Sequence, residues 1–363
     1  MSDNKSQHFV PRLYLKTFSL NKNGKEISLF NVTNNFYVKN AKLKHQAQED
    51  FFYGKDGVTE NILQKIESQA APILNKMILN SSIPKMYFDE FISFFNFSFL
   101  LAYRTKNEGV ELQEMLNNMF KLFTKNDPRM SKYEVSDLEL RINHPGDLNV
   151  SLALQTVRGA YDLKIKLLYN TTNIKFIASD NPVIKYNQYL EKRNHLGGHT
   201  GVANKGLQLF FPISPEIMLV FYDEWAYKVG NKKDDSIELT NNEDIDKLNM
   251  LQLINCFKIA YFNEKVEKEY LTTLNYRVAK YRGGEYTVLN ELKNTKLNKE
   301  NQKSKFYETY KKDIKINLTL SFIKETKKAK NHIISNYVTQ LRNENLRPRR
   351  NLNYLTKDLI EEE

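Results

Sequence analysis

YFDEFISFFNFSFLLAY, residues Tyr87–Tyr103, carries apolar side chains in every direction around a helix. A helix without a polar face is stable only where protein covers all of it. Its apolar run, from Phe91 to Tyr103, is interrupted by polar residues and is much shorter than the roughly 20 residues that span a bilayer. We therefore predict that the helix Phe91–Leu101 is buried between the N-terminal helices and a sheet formed by residues 163–222.

Helical periodicity precedes and follows this stretch. In residues 58–80, one helix face is marked by apolar residues at steps of three and four: Ile62, Ile66, Ala70, Ile73 and Met77. Similar patterns predict further helices at Glu111–Lys125, Ser136–Asn143 and Ser151–Tyr161. Nearer the N-terminus, the β-branched and aromatic run Lys25–Val32 follows an Asn-Lys-Asn-Gly turn and predicts a strand.

From residue 163 the pattern becomes strand-like. Short apolar runs separated by turn residues predict an antiparallel meander, with strands at Leu163–Tyr169, Ile174–Ala178, Pro182–Tyr186, Leu207–Pro212 and Ile217–Tyr222. A helix at Asn242–Cys256 and a strand at Lys258–Phe262 follow. Because helices and strands are segregated, we predict an α+β fold with a helical N-terminal half packed on a mostly antiparallel sheet.

The last fifth of the chain differs in charge. Residues 291–363 contain 17 Lys and Arg against 10 Asp and Glu, a balance of +7 out of +11 for all 363 residues. Two apolar stripes predict one or two amphipathic helices here: Phe306, Tyr310 and Ile314, then Ile333, Ile334, Tyr337, Val338 and Leu341. We therefore divide the chain into a mixed α+β domain, residues 1–290, and a Lys/Arg-rich helical tail, residues 291–363.

Composition and motifs exclude several classes of protein. With 41% apolar and 12% aromatic residues, the chain can bury a core, which excludes wholesale disorder. The single Cys256 excludes an internal disulfide framework and a cysteine-cluster metal site. Together with an N-terminus that lacks a signal-peptide pattern, it predicts a cytoplasmic protein with no membrane partner. Dinucleotide, P-loop, zincin and nucleophile-elbow motifs do not occur in the sequence.

Two groups of polar residues near turns are candidates for chemistry. His8, followed by Pro11 and Arg12, places a base that titrates near neutral pH beside a permanent cation suited to phosphate. The alternative is that His8 caps the structure and Arg12 forms an internal ion pair. Asp180 and Asn181 precede Pro182 where an apolar run ends, which suits either a site at a strand end or an Asx turn without a catalytic role.

Helical positions add three charged candidates. Glu60 and Glu67 lie two turns apart on one face, about 10 Å along the axis, which is too far for both to bind one metal. A solvated face is the simpler interpretation unless another element packs there. Arg104, directly after the phenylalanine-rich helix, is either a cation at a helix C-terminus or a phosphate ligand. The loop 193–199 holds two histidines, but nothing in the sequence directs both rings toward one ligand.

Several short motifs occur together, in the order His8-x-x-Pro11-Arg12-x-Tyr14-Leu15, Glu49-Asp50-Phe51-Phe52-Tyr53, Glu60 with Ile66-Glu67, Arg104-Thr105, Ser179-Asp180-Asn181-Pro182-Val183, Phe211-Pro212-Ile213-Ser214-Pro215 and Leu248-Asn249. In this combination, over about residues 1–285, the chain resembles the bacterial domain-of-unknown-function family 4238. The resemblance implies no settled activity. It implies one convergent polar site, because six residues match recurring polar positions of the family: His8, Arg12, Glu67, Arg104, Asp180 and Asn181.

These candidates predict an enzyme that acts on a phosphate-bearing substrate, most simply a nuclease or phosphodiesterase. Such hydrolysis needs a base for water, an acid for the leaving oxygen and cations for the developing charge. His8 suits the base or the acid. Substrate contacts are predicted for Arg12, Arg104 and Asn181. Asp180 and Glu67 suit either the orientation of the histidine or the binding of a divalent metal, Mg²⁺ or Mn²⁺.

The basic tail predicts nucleic acid as a partner. Arg347, Arg349 and Arg350 suit phosphate contacts that do not depend on sequence, so we expect the tail to add affinity rather than catalysis. The alternative function is a non-catalytic nucleic-acid-binding or assembly protein of a bacterial defence or mobile-element module. A composition rich in Lys, Asn and Ile, as in AT-rich genomes, weakens the argument from charge, as does the terminal Glu361-Glu362-Glu363. The sequence leaves open the reaction, the metal, the oligomeric state and the choice among RNA, DNA and a small nucleotide.

Overall fold

The computed structural model describes residues 5–125, 127–282, 286–292, 306–334 and 341–342. Its strands are β1 (Ser6–His8), β2 (Glu26–Asn31), β3 (Phe36–Lys42), β4 (Gln48–Asp50), β5 (Lys164–Asn170), β6 (Ala178–Ser179), β7 (Ile184–Tyr186), β8 (Gln208–Pro212), β9 (Ile217–Tyr222), β10 (Tyr227–Val229), β11 (Ser236–Leu239), β12 (Ile259–Phe262), β13 (Thr287–Leu292), β14 (Phe306–Lys311) and β15 (Ile323–Glu325). Its helices are α1 (Arg12–Leu15), α2 (Val58–Asn80), α3 (Asp89–Leu101), α4 (Lys106–Lys125), α5 (Pro145–Thr156), α6 (Gln188–Glu191), α7 (Asn242–Asn255), α8 (Lys268–Val278) and α9 (Lys327–Lys330). None of these helices combines the length and the hydropathy that a bilayer crossing requires.

The fold is α+β with mostly antiparallel sheets, as predicted. One sheet has the strand order β11-β5-β9-β8-β7, a second has the order β3-β2-β12-β6, and the remaining strands form the pairs β1-β4, β10-β15 and β13-β14. Strands β11 and β5 run parallel. The predicted meander is wrong in two respects. Strand β6 leaves the five-stranded sheet and pairs with β12 in the four-stranded one, and β5 pairs with β9, so only β7, β8 and β9 follow one another as a meander.

The phenylalanine-rich helix is α3, and it is buried as predicted. Its rings at positions 91, 94, 95, 97 and 99 are each at most 2% exposed. Phe95 and Phe97 contact Phe221 and Phe211 of the five-stranded sheet, with ring centroids 5.2 and 6.4 Å apart. Helix α2 also packs against α3. The helix therefore connects the N-terminal helical part to the sheet.

Strand β9 is apolar throughout because both of its faces are buried. Successive side chains of a strand point to opposite faces. Alternate residues of β9, ending with Phe221, belong to the core around α3, whereas Met218, Val220 and Tyr222 belong to a second hydrophobic cluster. That second cluster also contains residues from near the C-terminus: Leu318, Leu320, Ile323 and Ala329. Both faces of the five-stranded sheet are therefore covered, and one of them is covered partly by residues 318–329.

The helix predicted from Phe306, Tyr310 and Ile314 is wrong. Residues Phe306–Lys311 form β14, which pairs antiparallel with β13. Side chains four positions apart share a face of a strand as well as a face of a helix, so this spacing fits both structures. Within the described part of the tail, only α9 is an α-helix. Residues 335–340 of the second stripe lie outside the described residues, and the boundary at residue 290 stays a prediction.

The helix predicted at Ser136–Asn143 is also wrong. A single 3₁₀ turn, Val135–Asp137, occupies its start. Side chains of α4 bind the backbone beyond it: Asn117 Oδ1 accepts from the Leu140 N–H at 2.9 Å, and Gln113 Oε1 accepts from the Ile142 N–H at 2.8 Å. These bonds replace those that a helix would have made within itself.

We expect Phe95→Ala to lower the free energy of unfolding by roughly 3–5 kcal/mol, because removing a buried ring leaves a cavity. Urea denaturation followed by circular dichroism measures the loss. The control is Phe123→Ala on α4, where the ring is 63% exposed, and it should cost less than about 0.5 kcal/mol. Equal losses in the two variants would contradict the placement of α3 in the core.

Candidate functional site

Arg104 is a buried cation just beyond the end of α3. Its N–H donates to the Leu100 carbonyl at 2.9 Å, which continues the helical turn, and its side chain is 4% exposed. Nη1 donates to Glu67 Oε1 at 2.6 Å, Nε to the Tyr53 hydroxyl at 2.9 Å and Nη2 to the His8 carbonyl at 2.6 Å. These partners are needed, because an unpaired buried charge is costly.

The neighbours of Arg104 keep it charged. Burial alone would lower the pKa of Arg104, but Tyr53 and Glu67 raise that pKa overall. Tyr53 is also buried, and burial raises its pKa to about 12 in spite of the nearby guanidinium. The neutral phenol both accepts from Arg104 Nε and donates to the Arg104 carbonyl at 3.2 Å. Arg104, Tyr53 and Glu67 therefore form one hydrogen-bonded unit that joins α2 to the end of α3.

His8 is a half-buried histidine at the end of β1, whose pairing with β4 fixes its backbone. Ring Nε2 lies 3.3 Å from the Lys44 carbonyl. A carbonyl only accepts, so Nε2 carries the hydrogen and Nδ1 carries the lone pair. Burial lowers the pKa of His8 from its ordinary 6.5, and Arg12 and Arg104 lower it further, whereas the Lys44 hydrogen bond and Glu67 raise it. At neutral pH, His8 is therefore an unprotonated base.

The face of α2 that carries Glu60 and Glu67 is solvated only in part: Gln64 between them is exposed, but the simpler interpretation given above does not hold for the two glutamates themselves. Glu60 is 9% exposed and the Glu67 side chain 22% exposed. The guanidinium of Arg104 lies against this face. Burial raises the pKa of Glu60, in spite of the nearby Arg104. Glu60 therefore joins the site as a carboxyl group with an increased tendency to hold a proton.

Arg12 adds an exposed cation to these residues. It begins α1, directly after Pro11. It is close enough to lower the pKa of the His8 ring. An exposed cation thus accompanies a neutral imidazole. We use the term His8 cluster for the whole group: His8, Arg12, Tyr53, Glu60, Glu67 and Arg104.

Asp180 is buried and binds the backbone at the start of β12. Oδ1 accepts from the Phe257 N–H at 2.9 Å, and Oδ2 accepts from Lys258 and Ile259 at 2.8 and 2.9 Å. Burial raises the pKa of Asp180, and the three N–H groups act in the opposite direction. These bonds account for Asp180 as a link between β6 and β12. Its catalytic role stays a prediction.

Asn181, unlike Asp180, is hydrogen-bonded to the segment that carries Arg104. Its Oδ1 accepts from the hydroxyl of Thr105, the residue after Arg104, at 2.9 Å. Its Nδ2 donates to the Asn255 carbonyl at 3.1 Å. Asn181 is 1% exposed, so in this structure it supports the backbone beside Arg104. Its substrate contact stays a prediction.

The family model for "Protein of unknown function (DUF4238)" matches residues 6–266, which is most of the chain. The chain belongs to the DUF4238 family. This result confirms the resemblance seen in the short motifs. The match contains the whole His8 cluster together with Asp180 and Asn181. The chain matches neither a curated protein nor a solved structure.

This DUF4238 protein has a second buried charge cluster, which is absent from the sequence-based candidates. Lys185 Nζ lies 2.6 Å from Glu108 Oε2, and Lys311 Nζ lies 2.8 Å from both Glu108 Oε1 and Glu111 Oε2. Burial lowers the pKa of Lys185 in spite of Glu108. Burial also acts to lower the pKa of Lys311, but Glu108 and Glu111 raise it overall. Because Lys311 lies on β14, the cluster joins the tail to the DUF4238 part.

One signal in the sequence pointed toward this second cluster. Lys185 is a charged residue inside an otherwise apolar predicted strand, 182–186. A lysine in a buried strand requires a carboxylate partner. Glu108 and Glu111 are one helical turn apart and could supply it. The sequence does not reveal that Lys311, 203 residues after Glu108, completes the cluster.

The other predicted residues do not add to the His8 cluster. His195 and His199 are buried in their loop, and His199 Nε2 lies 2.9 Å from the His195 carbonyl. Arg347, Arg349 and Arg350 lie outside the described residues. In the part of the chain that the structure describes, no group of three or more His, Cys, Asp or Glu side chains has a geometry suited to a metal ion. The binding of Mg²⁺ or Mn²⁺ stays a prediction.

We expect Asp180→Ala to lower the free energy of unfolding by roughly 3–5 kcal/mol, because three backbone N–H groups lose their acceptor inside the protein. The same substitution on an exposed turn would change the free energy of unfolding by only about 0.5 kcal/mol or less. Urea denaturation tests it against Asp50→Ala, a carboxylate that is 57% exposed and pairs with Lys5 at 3.0 Å. An Asp180→Ala protein as stable as Asp50→Ala would contradict the structural role.

Proposed function

We propose that this DUF4238 protein hydrolyses phosphodiester bonds in nucleic acid or nucleotides. The supporting observation is the convergence of the His8 cluster, in which His8 and Arg104 are in contact although 96 positions separate them in the chain. A neutral imidazole, a carboxyl group with a raised pKa and an exposed guanidinium are the base, acid and cation that phosphodiester hydrolysis needs.

The proposed step assigns one role to each group. His8 Nδ1 accepts a proton from water as the water oxygen bonds to phosphorus. The bond between phosphorus and the leaving oxygen breaks, and that oxygen takes a proton from Glu60. Arg12 binds the non-bridging phosphate oxygens as their charge increases.

Arg104 is a positioning residue in this proposal. Its Nε, Nη1 and Nη2 already donate to Tyr53, Glu67 and the His8 carbonyl, and it is 3% exposed. These contacts leave it poorly placed to bind phosphate. They hold the backbone of the base and so support the alignment on which proton transfer depends.

We expect His8→Ala to reduce phosphodiester cleavage by at least 100-fold, because general base catalysis contributes about 10²–10⁴-fold. The assay compares labelled RNA, single-stranded and double-stranded DNA and bis(p-nitrophenyl) phosphate, with and without Mg²⁺ or Mn²⁺. The matched control is His45→Ala, an exposed histidine on the neighbouring turn, which should retain wild-type cleavage. Thermal melts of both variants separate a defect in chemistry from a defect in folding.

Two outcomes would count against the enzyme. If the wild-type protein cuts none of these substrates under any metal condition, the catalytic proposal fails and the non-catalytic binding protein takes its place. If His8→Ala loses activity only in proportion to its loss of folded protein, His8 is structural.

The pH dependence of kcat/KM gives an independent test. Activity requires neutral His8, so it rises with pH through a pKa below 6.5, in the direction that burial shifts this histidine. Activity also requires protonated Glu60, so it falls as pH rises through a pKa above 4.5. We therefore expect a bell-shaped profile with one limb for each of the two groups. Glu60→Gln should remove the alkaline limb, and an unchanged profile in that variant would contradict the role of Glu60.

A further inference from the structure

The end of α8 and the turn that follows it form an aromatic and basic cleft. Its volume is about 650 Å³. Helix α7 contributes one wall through Met250, and the other lining residues are Tyr276, Arg277, Ala279, Lys280 and Tyr281. We call this surface the α8 cleft. It is built from elements other than those that form the His8 cluster.

The tyrosines of the α8 cleft are not needed for packing. Leu271, Leu274 and Val278 are buried and anchor α8 in a hydrophobic cluster. On the outer side, Tyr276 is 86% exposed and Tyr281 is 37% exposed. Two aromatic rings therefore border one cleft: the Tyr276 ring is largely exposed to solvent, and the Tyr281 ring is partly exposed. Each ring offers a surface on which a flat ligand can stack.

The cations of the α8 cleft are available to an external anion. Arg277 and Lys280 are exposed, and neither forms an ion pair with another described residue. Lys280 Nζ lies 4.9 Å from the centroid of the Tyr281 ring, so a cation and an aromatic face occur side by side. The carboxylate of Asp246, on α7, accepts a hydrogen bond from the Tyr270 hydroxyl at 2.9 Å.

We propose that the α8 cleft binds single-stranded nucleic acid, with bases stacked on Tyr276 and Tyr281 and phosphates bound by Arg277 and Lys280. Stacked bases of a duplex do not present their faces, whereas single strands do. This inference rests on the proposed phosphodiesterase and names its substrate class. It also places binding within residues 250–281, before the basic tail.

The test is fluorescence anisotropy of a labelled 12-nucleotide oligo(dT) and oligo(U), measured with the full chain at several salt concentrations in the presence of EDTA. We expect Tyr276→Ala to weaken binding roughly 5- to 100-fold because it removes a stacking surface, and Tyr276→Phe to restore it. The double variant Arg277→Gln with Lys280→Gln should reduce the slope of log K against log salt by about 1.4, or about 0.7 for each phosphate that the protein no longer neutralises.

Lys132 and Tyr133 supply the matched control. They form a similar exposed pair, with Nζ 5.1 Å from the ring centroid and Tyr133 49% exposed, but they do not line the α8 cleft. Lys132→Gln with Tyr133→Ala should leave affinity unchanged. Binding by the α8-cleft variants equal to that of the wild type would overturn the proposal. So would binding to anionic phosphatidylserine vesicles without binding to the oligonucleotides.

Failure of this inference is distinguishable from failure of the proposed enzyme. Hydrolysis of bis(p-nitrophenyl) phosphate reports on the His8 cluster and requires no stacking surface. Anisotropy reports on binding and requires no turnover. A protein that cleaves the small phosphodiester but binds oligonucleotides independently of Tyr276 retains the enzyme proposal and overturns the α8 cleft.

Discussion

The buried charge of Arg104 is the constraint on which the site depends. The apolar helix α3 is followed by a cation that water does not reach, and an unpaired cation there would cost several kcal/mol. Glu67 supplies the counter-charge, and Tyr53 and the His8 carbonyl accept the remaining directed bonds. These three partners come from α2, the segment after β4, and β1. Satisfying one guanidinium therefore places the N-terminal histidine beside the end of the central helix.

The second charge cluster applies the same rule to another part of the chain. Lys185 and Glu108 each have a side chain only 7% exposed, so each depends on the other and on Lys311. Removing either partner of such a buried pair leaves an uncompensated charge, so an arrangement that keeps the partners together is favoured. Here the chosen arrangement includes β14. The ion pairs of Lys311 with Glu108 and Glu111 also hold β14 against α4. Its partner strand β13 contacts the same helix, where Glu114 accepts from the Thr287 N–H at 2.9 Å.

Periodic segments could be predicted from the sequence, and contacts between distant segments could not. Helix α2 has the predicted limits because its apolar residues recur at steps of three and four, and strand β9 has them because turn residues bound its short apolar run. The stripe at Phe306 and Tyr310 failed because a step of four is an even number and also fits a strand. For Glu60, the pattern identified a polar face but could not show that Arg104 covers it. For Asp180, a local turn signal gave no sign of N–H groups about 77 residues away.

The covering of the five-stranded sheet has a consequence for biosynthesis. One sheet face, with Phe210, Met218 and Val220, is closed partly by residues 318–329, well beyond the end of the DUF4238 match at residue 266. A ribosome completes the sheet before it has made its cover. Until then, the part of that face that residues 318–329 cover is exposed, and exposed apolar surface of an unfinished chain favours association with other proteins. Synthesis of residues 318–329 thus sets the time at which this apolar surface of the nascent protein is covered.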